Sequence, residues 1–202
     1  MVEEKRAREP SIEMVLGADE IDQIVHRLGA EITRDHPRGV VLIGVLKGAL
    51  LFFSDLSRSI SEIPVVIDFM AISRFAPDSG RVRMLHDLTL DVTGRDVVLV
   101  EDVVDTGLTL AFLTQTLEAR GAHRIEVCAF LDRSSRRIVP HEVRYRGIEI
   151  GDDFLLGYGL HHHDLYRNLP FLFRVDQSEL TQHPDRYVSQ VYGARKVPGG
   201  IG

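Results

Sequence analysis

Val97-Val98-Leu99-Val100-Glu101-Asp102-Val103-Val104-Asp105-Thr106-Gly107-Leu108-Thr109 is the stretch on which both the fold and the chemistry turn. Val97 to Val103 reads as a strand, and its opening run of aliphatic residues has no wet face, as a strand buried on both sides requires. The run ends in two adjacent carboxylates, Glu101 and Asp102. It then passes through a third, Asp105, into Thr-Gly-Leu-Thr and an apolar helical pattern. Unpaired backbone N–H groups at a helix start, with the Thr106 and Thr109 hydroxyls beside them, make a cradle for a phosphate monoester. Gly107, lacking a Cβ, lets backbone and anion come close. Glu101 and Asp102 can accept hydrogen bonds from a vicinal diol, or hold a divalent cation through water. Phosphate, diol and cation together describe a phosphorylated ribose. A solvated acidic turn with an N-cap threonine is the plainer alternative, but three carboxylates behind a wholly apolar strand exceed what such a turn needs.

Outward from this stretch the chain alternates strands and helices. Ile21, Ile24, Val25, Leu28 and Ile32 recur at helical spacing from Ala18 to about Arg34, and Pro37-Arg38-Gly39 breaks the pattern. Val40 to Leu46 is a second continuous apolar run. Ala49 to Ile60 reads as a helix burying Leu50, Phe53 and Leu56, and Pro64 to Phe69 as a strand. Ser73 to Arg83 carries Pro77, Asp78, Ser79 and Gly80 without periodicity, a long loop of the kind that serves as a lid. Beyond the motif, Leu110, Leu113 and Leu117 share one face of a helix that Gly121 stops. Strands follow at Ile125 to Leu131 and Val143 to Ile150. This order predicts an α/β fold, a mostly parallel sheet with helices on both faces. Such sheets bind ligands beyond the carboxyl ends of their strands, where the motif falls. No repeat or linker divides the chain. Residues 1–202 read as one domain with frayed tails at 1–10 and 197–202.

The composition is that of an ordinary globular protein, 44% hydrophobic and 27% charged. A net charge of −6 and a pI of about 5.8 give no overall field for nucleic acid, so a phosphate ligand needs cations gathered locally. Cys128, the sole cysteine, sits in Ile-Glu-Val-Cys-Ala-Phe-Leu; it reads as core, excludes an internal disulfide and suits a reducing compartment. The first ten residues are charged rather than apolar, and no apolar run reaches membrane-spanning length. A cytoplasmic protein without a membrane or nucleic-acid partner is expected. Neither Gly-x-x-x-x-Gly-Lys-Ser/Thr nor Gly-x-Gly-x-x-Gly occurs, which counts against nucleoside triphosphatase and dinucleotide-binding readings.

Glu101 to Thr109 resembles the phosphoribosyl pyrophosphate signature of type I phosphoribosyltransferases. From about Ser11 to Val175 the chain is similar to their hypoxanthine-guanine branch. The matching blocks are Leu46-Lys47-Gly48-Ala49, Asp68-Phe69-Met70, Gly94-Arg95-Asp96-Val97, Leu131-Asp132-Arg133-Ser134-Ser135-Arg136-Arg137 and Phe154-Leu155-Leu156-Gly157-Tyr158-Gly159. Asp105 belongs to that branch, since adenine, uracil and orotate enzymes generally carry a non-acidic residue there. The resemblance implies a central mostly parallel sheet flanked by helices, with a small hood and a flexible lid loop. It implies an Mg²⁺-dependent purine-salvage enzyme, a homodimer or homotetramer, that joins hypoxanthine or guanine to phosphoribosyl pyrophosphate and releases pyrophosphate. By the same resemblance Lys47, Gly48 and Arg167 meet the pyrophosphate, and Glu101 and Asp102 the ribose and metal. Asp105, Thr106, Gly107, Leu108 and Thr109 hold the 5′-phosphate, and Asp105 is also the general base for the purine N7 proton. Arg133, Phe154 and Leu155 surround the base, and Ser73 to Arg83 is the lid.

Three positions depart from the family's pattern. Arg133 stands where a lysine usually donates to the purine O6, and the two cations are not interchangeable. Arg74-Phe75 replaces Ser-Tyr in the lid. His161 replaces an aspartate that helps hold a second magnesium, and imidazole suits that hard cation poorly. The run His161-His162-His163 reads as a polar loop rather than a transition-metal site, because consecutive side chains rarely face one ion. Read as residues alone, Lys47 and Arg167 are equally consistent with solvated charges and Phe154 with core. Arg136 and Arg137 read as surface or subunit-contact charges, and Asp152-Asp153 as a turn. A ligand sensor on the same fold, and a transferase for xanthine or a modified purine, are the rival functions.

Overall fold

The computed structural model describes residues 12–73, 82–183 and 185–193. Their order is β1 (Glu13–Leu16), α1 (Ala18–Asp35), β2 (Val40–Leu46), α2 (Leu50–Ser59), β3 (Val65–Ile72), β4 (Met84–His86), β5 (Asp96–Val104), α3 (Leu108–Ala119), β6 (Arg124–Asp132), β7 (Tyr145–Glu149), β8 (Phe154–Leu156), β9 (Leu172–Val175), α4 (Gln177–Gln182) and α5 (Val188–Tyr192). The main sheet runs β4-β3-β2-β5-β6-β7 and is parallel except where β4 meets β3.

The three central strands are apolar through their middle stretches because both of their faces are covered there. Val40 and Leu42 of β2, Val98 and Val100 of β5, and Cys128 and Phe130 of β6 point to the side packed by α1 and α2. The alternate residues Val41, Ile43, Val97, Leu99, Val127 and Ala129 point to the side packed by α3. That alternation is the two-residue period of a strand seen from two covered sides. Cys128 is wholly buried, and burial pushes its thiol pKa up, as a core cysteine requires. The glycine expected to end α3 does so: Gly121 adopts φ +77°, a left-handed geometry other residues resist.

The chain leaves β2 toward β3, then returns across it to β5 on the other side. This reversal between β2 and β5 is the topological switch point, where the connecting loops part and a crevice opens.

A second sheet, β1-β9-β8, is antiparallel and joins the first strand of the chain to two of the last. Its own core contains Leu156, Tyr166, Leu169, Phe173, Leu180 and Tyr187, so it forms a distinct layer supplying the expected hood. Helix α4 is capped by Asp176, whose carboxylate accepts from the backbone N–H groups of Ser178 and Glu179. Of the expected lid, residues 74–81, and with them Arg74-Phe75, lie outside the described residues, as do both tails. The described residues on either side of that segment are joined: Ser73 N–H donates to the Arg83 carbonyl at 2.8 Å, and Arg83 N–H to the Ser73 hydroxyl at 3.0 Å.

Phe130 couples the helical layer to the turn between the hood strands. Its ring centroid lies 5.2 Å from that of Phe52 on α2 and 5.1 Å from that of Tyr158, and it has no solvent exposure. Phe130→Ala is expected to cost about 3–5 kcal/mol of stability, measured by urea unfolding.

Candidate functional site

Two loops meet at the switch point. The first follows β2, where the Leu46–Lys47 peptide is cis and Lys47-Gly48 turns into α2. The second follows β5, whose end toward the cleft carries Glu101 and Asp102, and runs through Asp105, Thr106 and Gly107 into α3. Gly107 heads α3 at φ +82°, and a Cβ there would also overlap the Val139 carbonyl. The chain after β6 braces this second loop: Arg133 N–H donates to the Val104 carbonyl, and the N–H groups of Ile138 and Val139 both donate to that of Thr106. Gly48 is confined from two sides, since a side chain there would run into the Asp102 carboxylate, and one at Gly159 into the Gly48 carbonyl.

Between the loops lies a cleft of about 260 Å³ lined by Lys47, Gly48, Glu101, Asp102, Asp105, Thr106, Gly107, Thr109, His161 and Arg167, with apolar residues from the strand ends. The structure thus brings together most of the residues singled out from the sequence. Leu108 is not among the lining residues and is 37% exposed. Arg133, Phe154 and Leu155 do not line the cleft either, and of the three Arg133 reaches a lining residue, Asp105. Arg133 Nε donates to the Gly151 carbonyl at 2.8 Å and Nη2 to the Asp153 carbonyl at 2.7 Å, leaving Nη1 3.6 Å from Asp105 Oδ2. Phe154 follows as the first residue of β8, half-buried, with the His162 ring edge-on at 6.4 Å. Leu155 is buried.

The cleft holds charges of both signs. Glu101 is only 6% exposed and no cationic side chain pairs with it among the described residues. Burial, and then the neighbouring Asp102 charge, push its pKa well above the usual carboxylate range. Two adjacent oxygen-donor side chains, one lacking a counter-ion, fit a hard divalent cation that takes its remaining ligands from water and a phosphorylated substrate. His161 adds little to that set, because its Nδ1 accepts the Asp164 backbone N–H at 3.0 Å. On the opposite side Arg167 Nη1 donates to the Gly159 carbonyl at 2.7 Å. Its Nη2 lies 3.1 Å from Asp164 Oδ1, with Lys47 Nζ 3.8 Å from the same oxygen. The Arg167 hydrogen bond, with Lys47 nearby, holds the Asp164 pKa below the usual range.

Three features escaped the sequence reading. Asp164 is the shared anion of Lys47 and Arg167. Arg136, taken for a surface charge, has Nη1 3.7 Å from Asp105 Oδ2, so the Asp105 carboxylate faces two guanidinium groups. Arg137, read the same way, is only 13% exposed and pairs with Asp132, a carboxylate that is 1% exposed. No local pattern marks a charge destined for a buried pair.

Comparison with known proteins agrees with this geometry. Residues 11–163 match the phosphoribosyl transferase domain family. The hypoxanthine-guanine phosphoribosyltransferase of Staphylococcus aureus strain Mu50 is 37% identical over 164 residues, spanning 79% of this chain and 91% of that protein. The chain belongs to the hypoxanthine-guanine phosphoribosyltransferase family. Among solved structures, a hypoxanthine-guanine phosphoribosyltransferase from Bacillus anthracis, with a HEPES molecule in its active site, superposes with a TM-score of 0.78 at 35% identity, covering 82% of this chain and all of that one. A hypoxanthine phosphoribosyltransferase from Staphylococcus aureus gives 0.79 at 34% identity, over 87% and 98%. As a phosphoribosyltransferase this chain has the type I fold; of its departures from the family pattern, His161 lines the cleft and Arg133 reaches Asp105 at its edge.

Because the folded chain holds a proton on Glu101 to higher pH than the unfolded chain does, its stability falls as pH rises from the ordinary glutamate value to the raised folded one. Glu101→Gln is expected to remove that decline, raising the melting temperature of the unliganded protein at neutral pH by several degrees in scanning calorimetry. Added Mg²⁺ should stabilise the wild type more than this variant.

Proposed function

We propose that this chain transfers the phosphoribosyl group of phosphoribosyl pyrophosphate to hypoxanthine or guanine, forming the nucleoside monophosphate and pyrophosphate. The observation that carries this reading is the convergence, at one switch point, of a loop suited to an anion, a carboxylate pair whose first member is buried, and two cations. The 5′-phosphate occupies the loop at Asp105 to Thr109, against backbone N–H groups and the two threonine hydroxyls. Glu101 and Asp102 accept from the ribose hydroxyls and hold Mg²⁺, which, when bound, helps neutralise the departing pyrophosphate. Lys47 and Arg167 stabilise the same leaving charge from the protein side. As the C1–pyrophosphate bond breaks, a purine ring nitrogen bonds to C1 and Asp105 takes the N7 proton. Phe154 packs on the purine face. The chain acts as a single domain, in the cytoplasm and as a homo-oligomer, with the segment 73–83, mostly outside the described residues, proposed as its lid.

Arg133 supports a 6-oxopurine. Its Nη1 and the Asp105 carboxylate, 3.6 Å apart, offer a donor beside an acceptor, the complement of a purine O6 next to N7–H. The same observation favours one variation. An arginine tied to two carbonyls presents its donor in a fixed direction, so the preference among hypoxanthine, guanine and xanthine follows that direction.

A steady-state assay with Mg²⁺ and phosphoribosyl pyrophosphate against these three bases, adenine, uracil and orotate tests the reading. Turnover is expected for 6-oxopurines alone, with Asp105→Asn lowering kcat about 10²–10⁴-fold while the KM for phosphoribosyl pyrophosphate stays within a few-fold. Unchanged turnover in that variant would remove Asp105 from the base role. Asp164→Asn frees Lys47 and Arg167 from an internal anion, so the KM for phosphoribosyl pyrophosphate should fall about two- to five-fold, the modest value of an exposed ion pair. A rise in the Mg²⁺ requirement instead would make Asp164 a partner of the cation.

A further inference from the structure

A second concavity lies at the other end of the sheet. A groove of about 510 Å³ opens at the start of β2 and β5, with Arg38, Arg95, Asp96 and His123 on its walls and Pro64 and Val66 among its apolar residues. Its volume lies within the range of small-molecule sites.

The charges in this groove are unusual for this protein. Nearly every described arginine lies within 4.0 Å of a carboxylate. Arg38, Arg83 and Arg95 are the exceptions among the described residues, and two of the three line this groove. In a chain of net charge −6, carboxylates are not scarce, yet these two guanidinium groups share one hollow with no carboxylate of the described residues within 4.0 Å of either, Arg95 feeling Asp91 only at longer range. The groove's one carboxylate is already engaged. Asp96 Oδ1 lies 2.8 Å from His123 Nδ1, and Oδ2 lies 3.8 Å from Nδ1 of the buried His36. That Nδ1 has no hydrogen-bond partner of its own, while Nε2 is held by Glu126 at 2.9 Å and the Tyr145 hydroxyl at 3.1 Å. Asp96 is thus drawn toward the two imidazoles, and the guanidinium forks are left for an external anion.

We infer that this groove is a second anion site, taking a small phosphorylated metabolite of nucleotide size. Its phosphate engages Arg38 and Arg95, whose planar donor arrays match phosphate oxygens, and its apolar part lies on Pro64 and Val66. The site is separate from the cleft: β2 and β5 each begin at the groove and end at the cleft, so the length of the sheet lies between the two.

Isothermal titration of the full-length protein with ADP, and separately with inorganic phosphate, tests this. The expected result is ADP binding that Arg38→Ala/Arg95→Ala weakens at least about tenfold, Arg38→Lys/Arg95→Lys restores in part, and Lys47→Ala leaves unchanged. Inorganic phosphate should bind the same site more weakly, because it lacks the apolar portion; equal affinity would reduce the site to a bare anion hole and overturn the nucleotide-sized assignment. The double alanine variant should keep the wild-type circular dichroism and turnover, which separates loss of the groove from loss of the fold or the cleft. Absence of ADP binding, or binding abolished by Lys47→Ala but kept in the double alanine variant, would overturn the proposal.

Discussion

Residue 48 has no room for a side chain. Its α-carbon faces the Asp102 carboxylate, and its carbonyl lies where a Cβ on residue 159 would stand. Three segments far apart in sequence are therefore pressed together through two glycines: the end of β2, the end of β5 and the turn after β8. Lys47, Asp102 and Arg167 reach one cleft because of that closeness, Arg167 being held through the Gly159 carbonyl itself. A methyl group at Gly48 would push the loop after β2 away from the Asp102 carboxylate, and one at Gly159 would push the turn after β8 away from that loop, so either would part the cations from the carboxylates.

The same closeness gives the cleft an electrostatic tension that the unliganded protein relieves only in part. Glu101 is desolvated with no paired cation among the described residues, and burial pushes its pKa up. Lys47 and Arg167 share Asp164, which stands on a segment where Tyr158, His163, Asp164 and Tyr166 all have positive φ. Non-glycine residues adopt that conformation at an energetic cost, and a packed surrounding has to hold them there. Tyr166 is buried in the hood core and Tyr158 packs on Phe130, so both protein layers contribute to holding the segment. A ligand bearing phosphates and a divalent cation would answer both charges at once.

The central strands were legible because burial on both faces leaves no alternative to a continuous apolar run; β2 falls at Val40–Leu46 as read, and β5 extends one residue beyond the expected strand at each end. The hood was legible only by resemblance. Strands β1, β8 and β9 have three or four residues each, too few for a period, and β1 finds its partner β9 about 160 residues away in sequence. Within the site, Glu101 to Thr109 could be read because strand, loop and helix are contiguous there. Asp164 could not, because its partners come from the end of β2 and from Arg167, and only the fold joins them. The misreading of Arg137 has the same origin: an arginine beside another arginine looks solvated until Asp132, at the end of β6, is seen buried beneath it.

Arg133 shows how a single exchange can belong to both structure and chemistry. A lysine ammonium is one atom with three donors and can turn toward whichever acceptor is nearest. The guanidinium is a rigid fork, and here two of its nitrogens fix the carbonyls of Gly151 and Asp153, the residues leading into Phe154. The third is then directed toward Asp105 by the plane of the group rather than by any contact of its own. Fixing the loop and aiming the donor are thus one geometric fact. A change at 133 would disturb Phe154 and the Asp105 edge together, so under the proposed reading base preference would depend on the order of the 151–153 loop as much as on the identity of the donor.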